Sequence, residues 1–120
     1  MSHDAKDARF QEGIGQFNRG QFFEAHETWE EIWLAAQEPE RTFLQGMIQV
    51  AAAFHHYCRG NRVGAKSLLE AGLKKLNRFQ PVHRGIQLDL LCSSVGEWIR
   101  GLSQGRSPQP AQRPLIQKVK

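Results

Sequence analysis

Residues 40–59 limit what this chain can fold into more than any other stretch. At about 100° of turn per residue, Phe43, Leu44, Met47, Ile48, Val50, Ala51, Ala53 and Phe54 fall on nearly every side of a helix. One narrow strip interrupts them: Arg41, Gln45, Gln49, Ala52 and His56. A helix apolar almost all round is stable only where neighbours cover it. The segment is therefore predicted to be the most buried helix, in the middle of a bundle, with Gln45 and Gln49 facing the helix before it. Gly46, Ala51, Ala52 and Ala53 are small enough to let neighbours approach closely. Its most apolar part, 47–58, contains Gln49, His55 and His56, so it is too short and too polar to span a bilayer.

The covering helices are legible from their apolar spacing. Residues 5–18 carry Phe10, Ile14 and Phe17 and end at Asn18-Arg19-Gly20, where Gly20 suits a left-handed C′ position. Residues 21–36 follow and stop at Glu38-Pro39. After Arg59-Gly60-Asn61, residues 62–79 place Val63, Leu69, Leu73 and Leu76 on one face and Lys66, Lys74, Lys75 and Arg78 on the other. The segment 80–85 reads as a loop, because Pro81 removes a donor and Gly85 permits a turn. Residues 87–102 present Leu88, Leu91, Val95, Trp98 and Leu102 at helical spacing. Gly20-Gln21-Phe22-Phe23-Glu24-Ala25 matches Gly60-Asn61-Arg62-Val63-Gly64-Ala65 at an offset of 40 residues, so two similar helical hairpins share one core. The fold class is all-α: a compact bundle of about five helices built from helical hairpins. Residues 1–105 form a single helical domain. Residues 106–120, basic and rich in proline, form an extended or disordered tail that adds little stability, with Leu115, Ile116 and Val119 as its one means of docking.

Charge and cysteines narrow the function classes. The net charge is +4 and the pI about 9.4, but Arg106, Arg113, Lys118 and Lys120 supply the excess with no acidic residue after Glu97. The folded part is nearly balanced, which makes nucleic acid a poor partner. Cys58 and Cys92 lie far apart in apolar contexts without zinc spacing and read as free thiols in a reducing compartment. The N-terminus lacks an apolar signal region. Together these place the protein in the cytoplasm, off the membrane.

The chemistry concentrates in residues 22–33. On a helical wheel, Trp29, Phe22, Trp33, His26, Glu30 and Phe23 share a face roughly 120° wide. His26 and Glu30 sit near its middle and Glu27 on its flank, while Glu24, Glu31 and Thr28 point away. A histidine and a carboxylate inside an aromatic stripe must be paired to be buried. They are expected to be partly buried and hydrogen-bonded to the strip on 40–59.

The string Phe17-Asn18-x-Gly20-x-Phe22-Phe23-Glu24-x-His26-Glu27-x-Trp29-Glu30-x-x-Trp33 resembles the signature of domain-of-unknown-function family 309, a group of small bacterial and plastid proteins. Phe43-Leu44-Gln45-Gly46-x-Ile48-Gln49-x-Ala51-Ala52, then His56, then Gly60-Asn61-x-x-Gly64-Ala65, fit the same pattern, over about residues 10–80. The resemblance implies an all-helical fold with no established activity.

Two function classes stand open. In the first, the chain is a non-enzymatic scaffold or interaction module. His26, Glu27, Glu30, Gln45, Gln49 and His56 then form a buried polar network between the second and third helices, and a protein partner or a second copy meets Phe23, Trp29 or Trp98 unless these are core. In the second, the cluster binds a divalent metal or a small molecule and acts as an enzyme. His26 and Glu30, at i and i+4, are a workable chelating pair with His56 as third ligand, but the Glu-x-x-His of di-metal bundles is absent and glutamines are poor ligands. His3, His55 and His83 carry no functional role in either reading; His55 reads as a core histidine and His83 as an exposed loop residue.

Overall fold

The computed structural model describes the backbone of residues 3–106 and 113–119 and the side chains of residues 6–106 and 113–119. Five helices form: α1 (His3–Asn18), α2 (Phe22–Ala35), α3 (Glu40–Cys58), α4 (Arg62–Leu76) and α5 (Leu88–Ser103). A single 3-10 turn, Asn77–Phe79, prolongs α4. The bounds follow the stop signals. Gly20, Gly60 and Gly105 have φ of 81°, 83° and 74°, a region that L side chains avoid. Each closes its helix with the same pair of backbone bonds; after α1, the Gly20 amide donates to Phe17 O at 2.9 Å and the Gln21 amide to Gln16 O at 2.8 Å. That is the Schellman arrangement, which satisfies carbonyls the helix leaves over. The offset of 40 residues holds in space, since α2 starts at Phe22 and α4 at Arg62.

Successive helices pack on one another, with α3 between α2 and α4. Its core side chains Phe43, Leu44, Met47, Val50, Ala51, Ala53 and Phe54 are buried, as expected of a central helix. The α3–α4 approach depends on glycines: a Cβ on Gly46 would lie 2.9 Å from Leu76, and one on Gly72 would lie 3.0 Å from Gly46 O. Gly13 does the same for α1 and α2, since a Cβ there would fall 2.1 Å from Trp29 Nε1. That indole donates instead to Phe10 O at 3.1 Å, fully buried. Among the described residues no helix is long and apolar enough to cross a membrane.

Two departures from the helical reading matter. The loop at 80–85 opens a small antiparallel hairpin, β1 (Val82–His83) with β2 (Ile86–Gln87), in the register Val82↔Gln87 and His83↔Ile86. Arg84 and Gly85 between them both take positive φ, 48° and 76°, as a two-residue I′ turn requires. Residues 117–119 then run along β2: Ile86 bridges Lys118 in antiparallel fashion, and the Gln87 amide donates to Gln117 O at 2.7 Å. Asn18 acts like a strand edge, donating from Nδ2 to Ile116 O at 3.0 Å and accepting the Ile116 amide on Oδ1 at 2.8 Å. Ile116 is buried, whereas Leu115 and Val119 are exposed. Residues 107–112 of the expected tail lie outside the described residues.

Candidate functional site

Helix α2 meets its neighbours through Phe22, Ala25, Thr28, Trp29 and Ile32. That face is turned by about 90° from the aromatic stripe on the wheel. The reason is packing on two sides. Trp29 and Phe22 fill the space toward α1 and α3, with Trp29 beside Phe10 and Phe17 and Phe22 beside Phe54. The small Ala25 and Thr28 then let α1 come close, and Thr28 Oγ1 donates to Gln16 Oε1 at 2.7 Å. Thr28, placed on the outer side by the wheel, is thus buried. Phe23, His26 and Glu30 rotate outward in exchange.

The candidate residues consequently sit at or near the surface. His26 Nε2 lies 3.4 Å from Glu30 Oε2, one turn along, with the His26 side chain 27% and the Glu30 side chain 50% exposed. Glu27 is exposed. His26 Nδ1 is buried without a hydrogen-bond partner. Gln45 is half-buried. Gln49 has its Oε1 buried and unpartnered, and its Cβ lies against Gly72 of α4, 3.4 Å from where a Cβ on that glycine would stand. Its stem therefore packs on α4 and not only toward α2. His56 Nδ1 faces Asn61 Nδ2 at 3.2 Å, in the turn that caps α4. No hydrogen bond among the described residues joins His26, Glu27 or Glu30 to Gln45, Gln49 or His56. In place of a network across helices there is a local pair on α2. The repeat supplies its counterpart: Lys66 and Glu70 occupy the same two places on α4, 3.8 Å apart. Nor do His26, Glu30 and His56 converge; among the described residues no three His, Cys, Asp or Glu side chains are gathered so as to hold a metal ion.

What the rotation creates is an exposed aromatic and acidic face. Phe23 is 45% exposed. Its ring stacks on His26 at 5.9 Å and on His55 of α3 at 5.2 Å, so His55 belongs to this face and not to the core. Leu34, 68% exposed, lies further along the same side. Glu24, Glu27, Glu30 and Glu31 are all exposed, and α2 contains no lysine or arginine. Glu31 is taken by Arg9 of α1, whose guanidinium its contacts with Glu12 and Glu31 hold above the ordinary value. Of the three aromatics considered for contact, Trp29 and Trp98 are buried and Phe23 alone is exposed.

The sequence reading missed a second polar group. His83, expected to be exposed, is half-buried between Phe43 and Phe79, at ring distances of 4.4 and 4.8 Å. Its Nε2 meets Glu40 Oε1 at 2.6 Å. Arg84 donates to Asp7 Oδ1 at 3.0 Å and approaches Glu40 Oε2 at 3.6 Å. These residues are distant in sequence and only the β1–β2 turn brings them together; the one advance signal was the Pro81…Gly85 punctuation. Cys92 is buried, and burial, aided by Asp89, pushes its thiol up to about 11.

The chain is 28% identical over 94 residues, 78% of its length, to an uncharacterized protein of Aquifex aeolicus (strain VF5). It is 36% identical over 67 residues, 55% of its length, to the uncharacterized protein YpuF of Bacillus subtilis (strain 168). The matches span 28% and 37% of those two proteins, so the chain corresponds to a minor part of each. A family model matches residues 10–68, which hold the second half of α1, all of α2 and α3, the start of α4, the stops at Gly20 and Gly60 and the outward face of α2. On that match, residues 10–68 of the chain belong to the family described as Domain of unknown function (DUF309).

Proposed function

We propose that this domain is a non-enzymatic interaction module and that the outward face of α2 receives a basic amphipathic segment of a protein partner. The observation that carries the reading is Phe23, an exposed ring stacked between His26 and His55. An aromatic anchor held rigid by neighbours, with polar groups around it, is the usual core of a contact surface. The carboxylates of Glu24, Glu27 and Glu30, with no cation on the same helix, favour a partner of opposite charge. His26 and Glu30 then serve recognition and not the fold. We place the module in the cytoplasm, where two unbridged thiols, Cys58 and Cys92, suit a reducing environment.

The test is an NMR titration of the labelled chain with a synthetic lysine–leucine amphipathic helix and with its glutamate–leucine counterpart. The lysine peptide should shift the amides of Phe23, His26, Glu27, Glu30, Leu34 and His55. Glu27→Lys/Glu30→Lys should abolish the response, and added salt should weaken it. Equal responses to both peptides, or shifts scattered over other faces, would refute the reading. Concentration-dependent mass in sedimentation, lost in the same variant, would assign the face to a second copy.

A further inference from the structure

Away from the α2 face, a cavity of about 740 Å³ lies where the start of α1, the end of α2 and the start of α3 meet beside the β1–β2 turn. Small-molecule sites typically measure about 300–1,000 Å³ and combine an apolar lining with a few polar groups. Here Phe10, Ile32 and Leu44 supply buried apolar surface. The two lining cations, Lys6 and Arg84, are matched by two lining carboxylates, Asp7 and Glu40. Arg84 is already committed, to Asp7 at 3.0 Å and to the Phe10 ring, 4.6 Å from its guanidinium carbon. What the lining leaves unsatisfied are acceptors. Glu40 Oε2 and Gln11 Oε1 are both buried oxygens without a hydrogen-bond partner. Arg84 Nη1, 3.6 Å from Glu40 Oε2, is too far to donate to it. Among the described residues the lining contributes no buried donor in the same condition.

The geometry points to a binding site for a small molecule with an apolar body and a primary-amine head, the ammonium donating to Glu40 and Gln11. An ammonium offers three donors from one compact centre and no acceptor, which is the complement of two stranded oxygens. Its charge adds to a lining whose own charges cancel. A carboxylate-headed ligand would find Arg84 engaged and only Lys6 to meet it. The apolar body would lie over Phe10 and Leu44. This site and the α2 face share no residue among those named, so either can fail alone.

Hexylamine, hexanol and hexanoate separate the possibilities when titrated at millimolar concentration into the full labelled chain. Hexylamine should shift the amides of Phe10, Gln11, Glu40 and Leu44, and bind at least about tenfold more tightly than either comparator, since a hydrogen bond to a charged group is what distinguishes them. Glu40→Gln should weaken hexylamine about tenfold and leave hexanol unchanged. Ala35→Phe, at an exposed lining position, should fill the space and abolish all three. If Glu40→Gln does not fold, Ala35→Phe decides. No shifts with hexylamine, hexanoate binding as well as hexylamine, or hexylamine binding unchanged in Ala35→Phe would each overturn the assignment.

Discussion

At the scale of single residues, magnitude separates the two readings of His26 and Glu30. A buried network would make each indispensable, since a stranded charge costs about 3–5 kcal/mol. An exposed pair at i and i+4 is worth only about 0.3–0.5 kcal/mol, and the 50% exposure of the Glu30 side chain puts the pair in that regime. Glu38 shows the opposite use of a surface carboxylate. It accepts the Thr42 hydroxyl at 2.7 Å and the Thr42 amide at 2.8 Å, capping the first turn of α3. The hydroxyl bond first, then the amide bond, hold the Glu38 carboxyl below its ordinary range. A carboxyl depressed on folding contributes stability that is fully present above the unfolded value and is lost as pH falls through the folded one. Glu38→Gln should therefore lower the melting temperature at neutral pH. The gap from the wild type should close as pH drops below the ordinary carboxylate range, as a pair of melting series would record.

At the scale of elements, the α3–α4 contact depends on Gly46 and Gly72. Gly46→Ala sets a Cβ 2.9 Å from Leu76 and 3.2 Å from Gly72 O. Leu76 is fully buried and has nowhere to go. Overpacking of this kind costs about 1–3 kcal/mol, whereas Ala replaces Gly favourably in an open helix; urea unfolding of Gly46→Ala gives the sign directly. The same elements mark what was legible in advance. Helix bounds were, because Gly20 and Gly60 sit where the chain needs positive φ. The central place of α3 was, because no exposed helix tolerates apolar residues on nearly all sides. The facing of α2 was not. A wheel weighted by aromatic size put His26 in the middle, but Ala25 and Thr28, small and unremarkable, carry the contact with α1. The β1–β2 hairpin was not either: two residues per strand leave no alternation to read. Of the candidate site, only His26 and Glu30 lie together as expected; His55 and Phe23 complete the face through a helix–helix contact that no local pattern contains.

At the scale of the whole molecule, the C-terminal segment closes the bundle. Ile116 is 4% exposed and both its backbone groups are bonded by Asn18. Such an anchor outweighs the polar residues beside it. Ile116→Ala should cost about 2–4 kcal/mol, and truncation before Arg113 at least as much; a melting temperature unchanged by truncation would mean that the segment does not hold in solution. With α1, α3, α4, α5 and this segment filling the interior, Phe23, His26 and Glu30 of α2 are left at or near the surface. The proposed division between a face that folds and a face that recognises is tested most directly by the unfolding free energy of one variant, Phe23→Gln/His26→Gln/Glu30→Gln. The predicted result is a loss below about 1.5 kcal/mol, the sum expected for partly exposed side chains. A loss above about 3 kcal/mol, the signature of a broken buried network, would contradict it.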